Sequence, residues 1–289
     1  MARRLTWREE WRTTPPYLRA LMLGTASVGG LYVASHVETM PLTGRRRVMF
    51  LSHLSEERLG ERAAQEIMHS ERILPASHPM SRAVSRIGHK IAEQSDNPHM
   101  KWQFHVIESH EPNAFCLPGG KVFVNTGLFK ILHNEDALAA VLFHEAAHGL
   151  ARHGAEKISF SLLVYGLLAF FLPDYGQFSD LLVKLAVDLP FSRKLELEAD
   201  SIGLRLMAKA CYDPRASIHM NNALGKIEKK NPAARFKYFS THPPSKERVQ
   251  ALRDQLRDAM EIYEASDCYD RKQAFHTVFV PEIVKPDVW

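Results

Sequence analysis

Cysteine is scarce in this sequence and follows no pattern. The three cysteines, Cys116, Cys211 and Cys268, make no C-x-x-C pair, so their spacing describes neither a disulfide framework nor a thiolate zinc site. Cys211 and Cys268 could pair in an oxidising compartment, but free buried thiols are the expectation. No dense lysine and arginine stripe with interleaved aromatics occurs, and the net charge is only +4 over 289 residues. Nucleic-acid binding therefore has little support. Low-complexity tracts and internal repeats are also lacking, which excludes a repeat array. The apolar share of 45% is enough for an ordinary core, in one large domain or two small ones.

One stretch organises the rest. Val141-Leu-Phe-His-Glu-Ala-Ala-His148 reads H-E-x-x-H inside an apolar, alanine-rich run. Asn134 can cap a helix there, Glu135 and Asp136 suit its first turn, and Gly154 is a plausible stop. On that helix His144 and His148 stand at i and i+4, so both imidazoles leave one face. Two neutral imidazoles so placed can hold one Zn2+ at about 2.0–2.1 Å. Glu145 is turned roughly 100° from His144. It can flank the metal and take a proton from an attacking water, the arrangement of a zinc-dependent peptidase. Two histidines on a helix are often ordinary polar residues. Here the small neighbours Ala146, Ala147 and Gly149 and the apolar flanks point to a buried site instead.

A catalytic zinc needs a third protein ligand and an open position. The extended pattern with a third histidine is absent, because its place is taken by Gly154. His153 is one position off and is expected to point elsewhere. A carboxylate from Leu195-Glu-Leu-Glu-Ala-Asp200 is the alternative. Glu196 and Asp200 share a helix face, so Glu196 can ligate while Asp200 accepts a bond from the outer nitrogen of a ligand histidine. Glu198 points away from that face and is the second choice.

In chain order, residues 1–19 form a basic segment with Arg3, Arg4, Arg8, Arg12 and Arg19 against two acids. Ala20 to Ser35 carries no charge, and His36 and Val37 extend it. Its length is at the short end for a membrane span; an uncleaved signal-type segment or a buried helix remains open. Arg45, Arg46 and Arg47 follow, so both flanks are positive and charge does not set orientation. Helical patterns cover Ser55 to Ile73 and Met80 to Gln94. Trp102 to Ile107 reads as a strand, and Asn113 to Asn125 reads as a hairpin turning at Pro118-Gly119-Gly120. An extended peptide could pair with that hairpin at Asn113, Ala114 and Phe115; a plain hairpin fits equally well. The apolar run Ile158 to Leu172 suits a membrane-facing or core helix better than a second span. Asp213-Pro214 opens a further helix. His242 lies on a proline-locked turn before a long helix ending near Ala265. It could donate to an oxyanion, or it could be a surface turn residue. Phe275 to Trp289 is β-like and has no assigned role.

Three motifs together resemble one metallopeptidase family, that of the CAAX prenyl proteases and HtpX-like proteases: His144-Glu-Ala-Ala-His148, Glu196-Leu-Glu-Ala-Asp200 and Ser240-Thr-His-Pro243. Within it, Thr43-Gly-Arg-Arg-Arg47, Asn113-Ala-Phe-Cys-Leu-Pro-Gly-Gly120, Thr126-Gly-Leu-Phe129 and Ser192-Arg-Lys-Leu-Glu196 look like the Oma-type mitochondrial inner-membrane endopeptidases. The resemblance covers about residues 40–255. It implies a mostly helical α+β chain: a zincin (gluzincin) peptidase domain with a small β-hairpin or sheet, behind an N-terminal transmembrane helix. Read along the chain, the expected domains are a basic segment 1–19, a transmembrane helix 20–37, the peptidase 38–265 and a tail 266–289. The implied site is one Zn2+ per subunit on His144, His148 and Glu196, with Glu145 as base, Asp200 behind a ligand histidine, and His242 near the substrate. The implied role is quality-control cleavage of membrane proteins at the mitochondrial inner membrane. The chain would cross that bilayer once, with the peptidase facing the intermembrane space; a homo-oligomer is compatible. Two rivals are a non-catalytic zinc-bound membrane chaperone or scaffold and a prenyl-protein processing peptidase. The second usually needs a multi-span chamber that this chain does not offer.

Overall fold

The structure is a computed structural model that describes residues 11–132, 134–171, 189–230, 242, 243, 245–266 and 268. Of the expectations above, residues 1–10, Ser240, Thr241 and the stretch Phe275 to Trp289 lie outside them, as do Leu172 and the side chains of 165–171 and 189–192. The chain divides into two compact units, residues 1–50 and 51–289.

The first unit begins with helix α1, Pro16–Ser35. Pro16 suits its first turn, where the missing N–H has no intrahelical partner to lose. At 1.5 Å per residue α1 is about 30 Å long, the depth of a bilayer's hydrocarbon. It buries none of its residues, and by length and composition it could cross a membrane. Two of its hydroxyls bond to the helix's own backbone: Thr25 Oγ1 donates to Leu21 O at 2.9 Å and Ser35 Oγ to Tyr32 O at 2.7 Å. Strands β1 (Val37–Thr39) and β2 (Arg46–Val48) then pair antiparallel, joined through Gly44 at φ 72°. Arg47 donates to Glu38 at 2.8 Å across that hairpin.

The second unit carries a three-stranded sheet in the order β3-β5-β4, built from Gln103–Ile107, Lys121–Asn125 and Ala114–Leu117. The β4–β5 hairpin turns where the sequence places it, with Gly119 and Gly120 at φ 76° and 90°, values that favour glycine. β5 is central and buried along its whole length; β3 runs parallel to it and β4 antiparallel. β4 is thus an edge strand. Helices α2 (His53–Ser70) and α3 (Pro79–Ser95) match the two amphipathic patterns, although α2 ends earlier than the pattern suggests. Its capping residue Glu71 turns extended, and Ile73 instead bridges to Ile107 beside the sheet.

After the short α4 (Thr126–Phe129) comes α5, Glu135–Leu150, the H-E-x-x-H helix. Asn134 caps it as expected, its side chain accepting from Ala137 N at 2.8 Å. Its end differs from the expectation. Gly154 is not the stop; Arg152 takes the left-handed conformation at φ 55°, and α6 starts at His153 and runs to Phe171. Arg152 is held by Glu56 at 2.6 Å and by Leu51 O at 2.7 Å, contacts that can offset the backbone cost. Helices α7 (Leu189–Lys209), α8 (Arg215–Lys230) and α9 (Lys246–Ala265) complete the unit. Asp213 accepts from Arg215 N at 2.9 Å at the start of α8, and Ser245 caps α9.

α7 packs closely on α5 at Gly203. A Cβ there would lie 3.1 Å from Phe143 O and 3.2 Å from His144 N, so glycine lets the two backbones meet beside the first histidine. One expectation is corrected: Cys211 and Cys268 are not free thiols but a disulfide. It lies in the apolar cluster of Leu204, Ala208, Leu252 and Tyr263, which joins the C-terminal ends of α7 and α9. Their wide sequence separation hid the pairing. Cys116 is the free cysteine among the described residues.

Candidate active site

α5 presents His144 and His148 one turn apart, as its period requires. Their Nε2 atoms lie 3.1 Å apart. α7 brings in Glu196, whose carboxylate oxygens stand 3.3 Å from each of those nitrogens. In a tetrahedral site with bonds of about 2.0–2.1 Å, neighbouring donors are about 3.3–3.4 Å apart. The three donors therefore fit a single Zn2+-sized cation. Two imidazoles and one carboxylate are also a donor set used by catalytic zinc. His242, on the turn before α9, adds Nδ1 to the same cluster, 3.1 Å from Glu196 Oε2 and 3.3 Å from His144 Nε2. These four residues form one potential metal-holding group.

Glu145 lies beside the cluster at 2% exposure. Its Oε1 is 3.3 Å from His242 Nε2 and makes no aligned hydrogen bond. Burial raises the Glu145 carboxyl pKa, with His242 and His144 opposing. It is a buried acceptor with unused capacity, which is what a general base needs before substrate arrives.

Asp200 stands behind the first histidine, Oδ1 3.0 Å from His144 Nδ1. Arg248, from the first turn of α9, donates to both Asp200 oxygens at 2.7 Å and stands 3.1 Å from Glu196. Burial pushes Asp200 up, yet Arg248 and His144 hold it down at about 2. Burial also opposes charge on Glu196, but His242, His144 and His148 keep its pKa far below the carboxylate range. Burial pushes His144 down, and Asp200 and Glu196 outweigh it to bring the ring to about 9. Burial lowers His148 well below the ordinary value, against the pull of Glu196. Metal binding at such a cluster would displace a proton from His144.

Sequence motifs do not single out Arg248, although it follows His242 by six positions. An arginine at the start of a helix after a histidine turn was the available signal. His153 does not point elsewhere: its Nδ1 meets His148 Nδ1 at 2.8 Å, and its Nε2 meets Glu198 at 3.1 Å. Glu198 accordingly leaves the cluster and faces His153.

A cleft of about 800 Å3 opens onto the cluster, bounded by Phe115, Cys116 and Leu117 of β4 and by Glu145, His148 and His242. Asn113 and Ala114 lie deeper. Both are buried, and Asn113 O accepts from Asn125 N at 2.8 Å. Of the three residues read as peptide-pairing, Phe115 is the one on the cleft wall.

The profile of peptidase family M48 matches residues 77–256, a stretch that contains every residue of the cluster. The mitochondrial metalloendopeptidase OMA1 of Schizosaccharomyces pombe is 43% identical over 247 residues, spanning 83% of this chain and 73% of that protein. OMA1 of Saccharomyces cerevisiae is 35% identical over 280 residues, spanning 90% of this chain and 80% of its own length. The β-barrel assembly-enhancing protease of Escherichia coli is more distant, 27% identical over 198 residues, 63% of this chain and 40% of that one.

Proposed function

This chain belongs to peptidase family M48 and is a metal-dependent endopeptidase; on that premise we propose that it uses zinc to cleave membrane proteins at the mitochondrial inner membrane, in quality control or stress processing. The observation that carries the chemistry is the convergence of His144 Nε2, His148 Nε2 and the Glu196 carboxylate at 3.1 and 3.3 Å. In this reading those three residues hold the zinc. Bound there, zinc supplies Lewis acidity, polarising the scissile carbonyl and acidifying a water. Glu145 accepts the proton from the attacking water, and its burial-raised pKa favours that transfer. It then hands the proton to the leaving amine. Asp200, fixed by Arg248, keeps His144 in the tautomer that leaves Nε2 free. His242 either steadies the developing oxyanion through a ring N–H or holds the fourth corner of the cluster. The edge strand β4 runs beside the cleft at Phe115, and an extended substrate would pair there with the backbone groups of Cys116, which point away from β5, while Asn113 and Ala114 anchor the strand from within.

The relatives' names and α1 support the location read here. Both yeast relatives are named as mitochondrial, and α1 has the length and composition of one span. The reading is a single-pass protein whose peptidase unit faces the intermembrane space.

The test is cleavage of a single-span inner-membrane protein by the purified chain in detergent, with zinc quantified on the same sample. One zinc per chain is expected, with cleavage abolished by chelation. Glu145→Gln should keep its zinc and lose activity by about 10²–10⁴-fold, the contribution typical of a positioned general base. Retained cleavage in that variant would remove Glu145 from its role. Stoichiometric zinc with no cleavage under any condition would favour a zinc-bound chaperone.

A further inference from the structure

The outer nitrogens of the two helix histidines face different groups. His144 Nδ1 faces a carboxylate directly, Asp200 at 3.0 Å. His148 Nδ1 instead faces another imidazole, His153 Nδ1 at 2.8 Å. His153 in turn places Nε2 3.1 Å from Glu198 Oε2. His153 is 1% exposed and Glu198 8%, so both groups are buried. Glu156 completes the buried trio around His153.

We propose that His153 is a positioning residue for His148, a neutral imidazole that transmits the orienting effect of Glu198 to a metal ligand. The inference rests on the metallopeptidase reading above. Its logic is proton bookkeeping. An ionised carboxylate only accepts, so Glu198 keeps the proton of His153 on Nε2. In a neutral ring His153 Nδ1 is then a lone pair. Two ring nitrogens at 2.8 Å need one donor and one acceptor, so His148 carries its proton on Nδ1. Its Nε2 is left as a lone pair, facing His144 Nε2 at 3.1 Å and Glu196 Oε1 at 3.3 Å. The opposite assignment would aim an N–H into the cluster and remove a ligand. The relay keeps the Glu198 charge one ring farther from His148 than Asp200 is from His144.

The break at Arg152 makes this contact possible. On an uninterrupted helix residue 153 would project roughly 140° around the axis from residue 148. The left-handed turn at Arg152, φ 55°, redirects the chain so that the first residue of α6 returns to the ring of His148.

The full chain in detergent tests this by zinc competition against a chelator and by the visible spectrum of the cobalt-loaded protein. His153→Phe keeps a ring and removes both nitrogens; His153→Asn restores an acceptor oxygen where Nδ1 stood. His153→Phe should weaken metal binding about 10–100-fold, the usual effect of losing an outer partner, and alter the cobalt spectrum. His153→Asn should recover most of the affinity. Unchanged affinity in His153→Phe, or equal losses in both variants, would overturn the proposal. If His153→Phe does not fold, Glu198→Ala against Glu198→Gln makes the same choice: Gln keeps an acceptor and should bind metal more tightly than Ala, and equal affinities overturn the relay. Two zinc ions per wild-type chain would make the trio a second metal site and overturn it also. A wild-type chain that binds no zinc refutes the parent reading, whereas zinc-binding wild type with an indifferent His153→Phe refutes only this one.

Discussion

Helices α1 and α5 are both predominantly apolar, yet α1 buries none of its residues while α5 buries 11 of 16. A helix without a polar face must be covered, either by protein or by lipid. Leu21 and Leu31 of α1 are 65% and 71% exposed, whereas Leu142 and Phe143 of α5 are fully covered. The polar groups separate the two. α5 carries His144, Glu145 and His148, which find partners on α7, α6 and the turn before α9. In α1 the hydroxyls of Thr25 and Ser35 donate to carbonyls of their own helix, which suits a medium offering no partners. Apolar helices are thus alike in demanding burial and unlike in what their few polar atoms require of the surroundings.

Five measurements would break or sharpen this contrast. Leu142→Ala opens a cavity in a packed helix and should cost about 2–5 kcal/mol in denaturant unfolding of the detergent-solubilised chain; a loss under 1 kcal/mol would mean that α5 is not a close-packed core helix. Leu23→Arg in α1 should disfavour bilayer insertion by about 2.5–3.5 kcal/mol. Carbonate extraction should then release the variant from membranes while peptidase activity in detergent persists; firm retention would say that lipid does not cover α1.

Acid is the third probe. The depressed Asp200 pKa means that its contribution to stability is fully present above its unfolded value of 3.8 and is lost as pH falls towards about 2. That contribution is roughly 2 kcal/mol at most. Hydrogen exchange between pH 5 and 2.5 should show α5 and α7 of the metal-free chain losing protection, while α1, which has no acidic residue, keeps its own. Equal loss in α1 would contradict the difference drawn here. Asn134→Ala removes the cap of α5 and should cost about 1 kcal/mol in the same unfolding assay. Leu31→Ala in α1 should be the smallest, within about 0.5 kcal/mol in detergent; a larger loss would reveal a protein contact on α1.

Much of the peptidase unit was legible because its signals are local. The Asn134 cap, the i and i+4 histidines and the Pro-Gly-Gly hairpin depend on nearest neighbours along the chain. The end of α5 was misread at Gly154 because glycine is the usual left-handed residue. Here an arginine takes that conformation, held by Glu56 and Leu51 from a distant segment. His153 was misplaced for the same reason, since its direction was judged on a helix that does not continue. Cys211 and Cys268 looked free because nothing local hints that the ends of α7 and α9 meet.

The sequence by itself determined which atoms could act: two imidazoles and a carboxylate on one helix, an acidic pair one turn apart on another, and one apolar run long enough for a bilayer. These follow from a helical period near 3.6 residues, which holds whatever the rest of the chain does. Tertiary structure alone decided which of those atoms meet. The close approach of α7 at Gly203 sets Glu196 against both histidines, α9 carries Arg248 onto Asp200, and the Arg152 turn brings His153 back to His148. Each of these contacts joins segments whose approach depends on the packing of the whole core, and no local pattern encodes that.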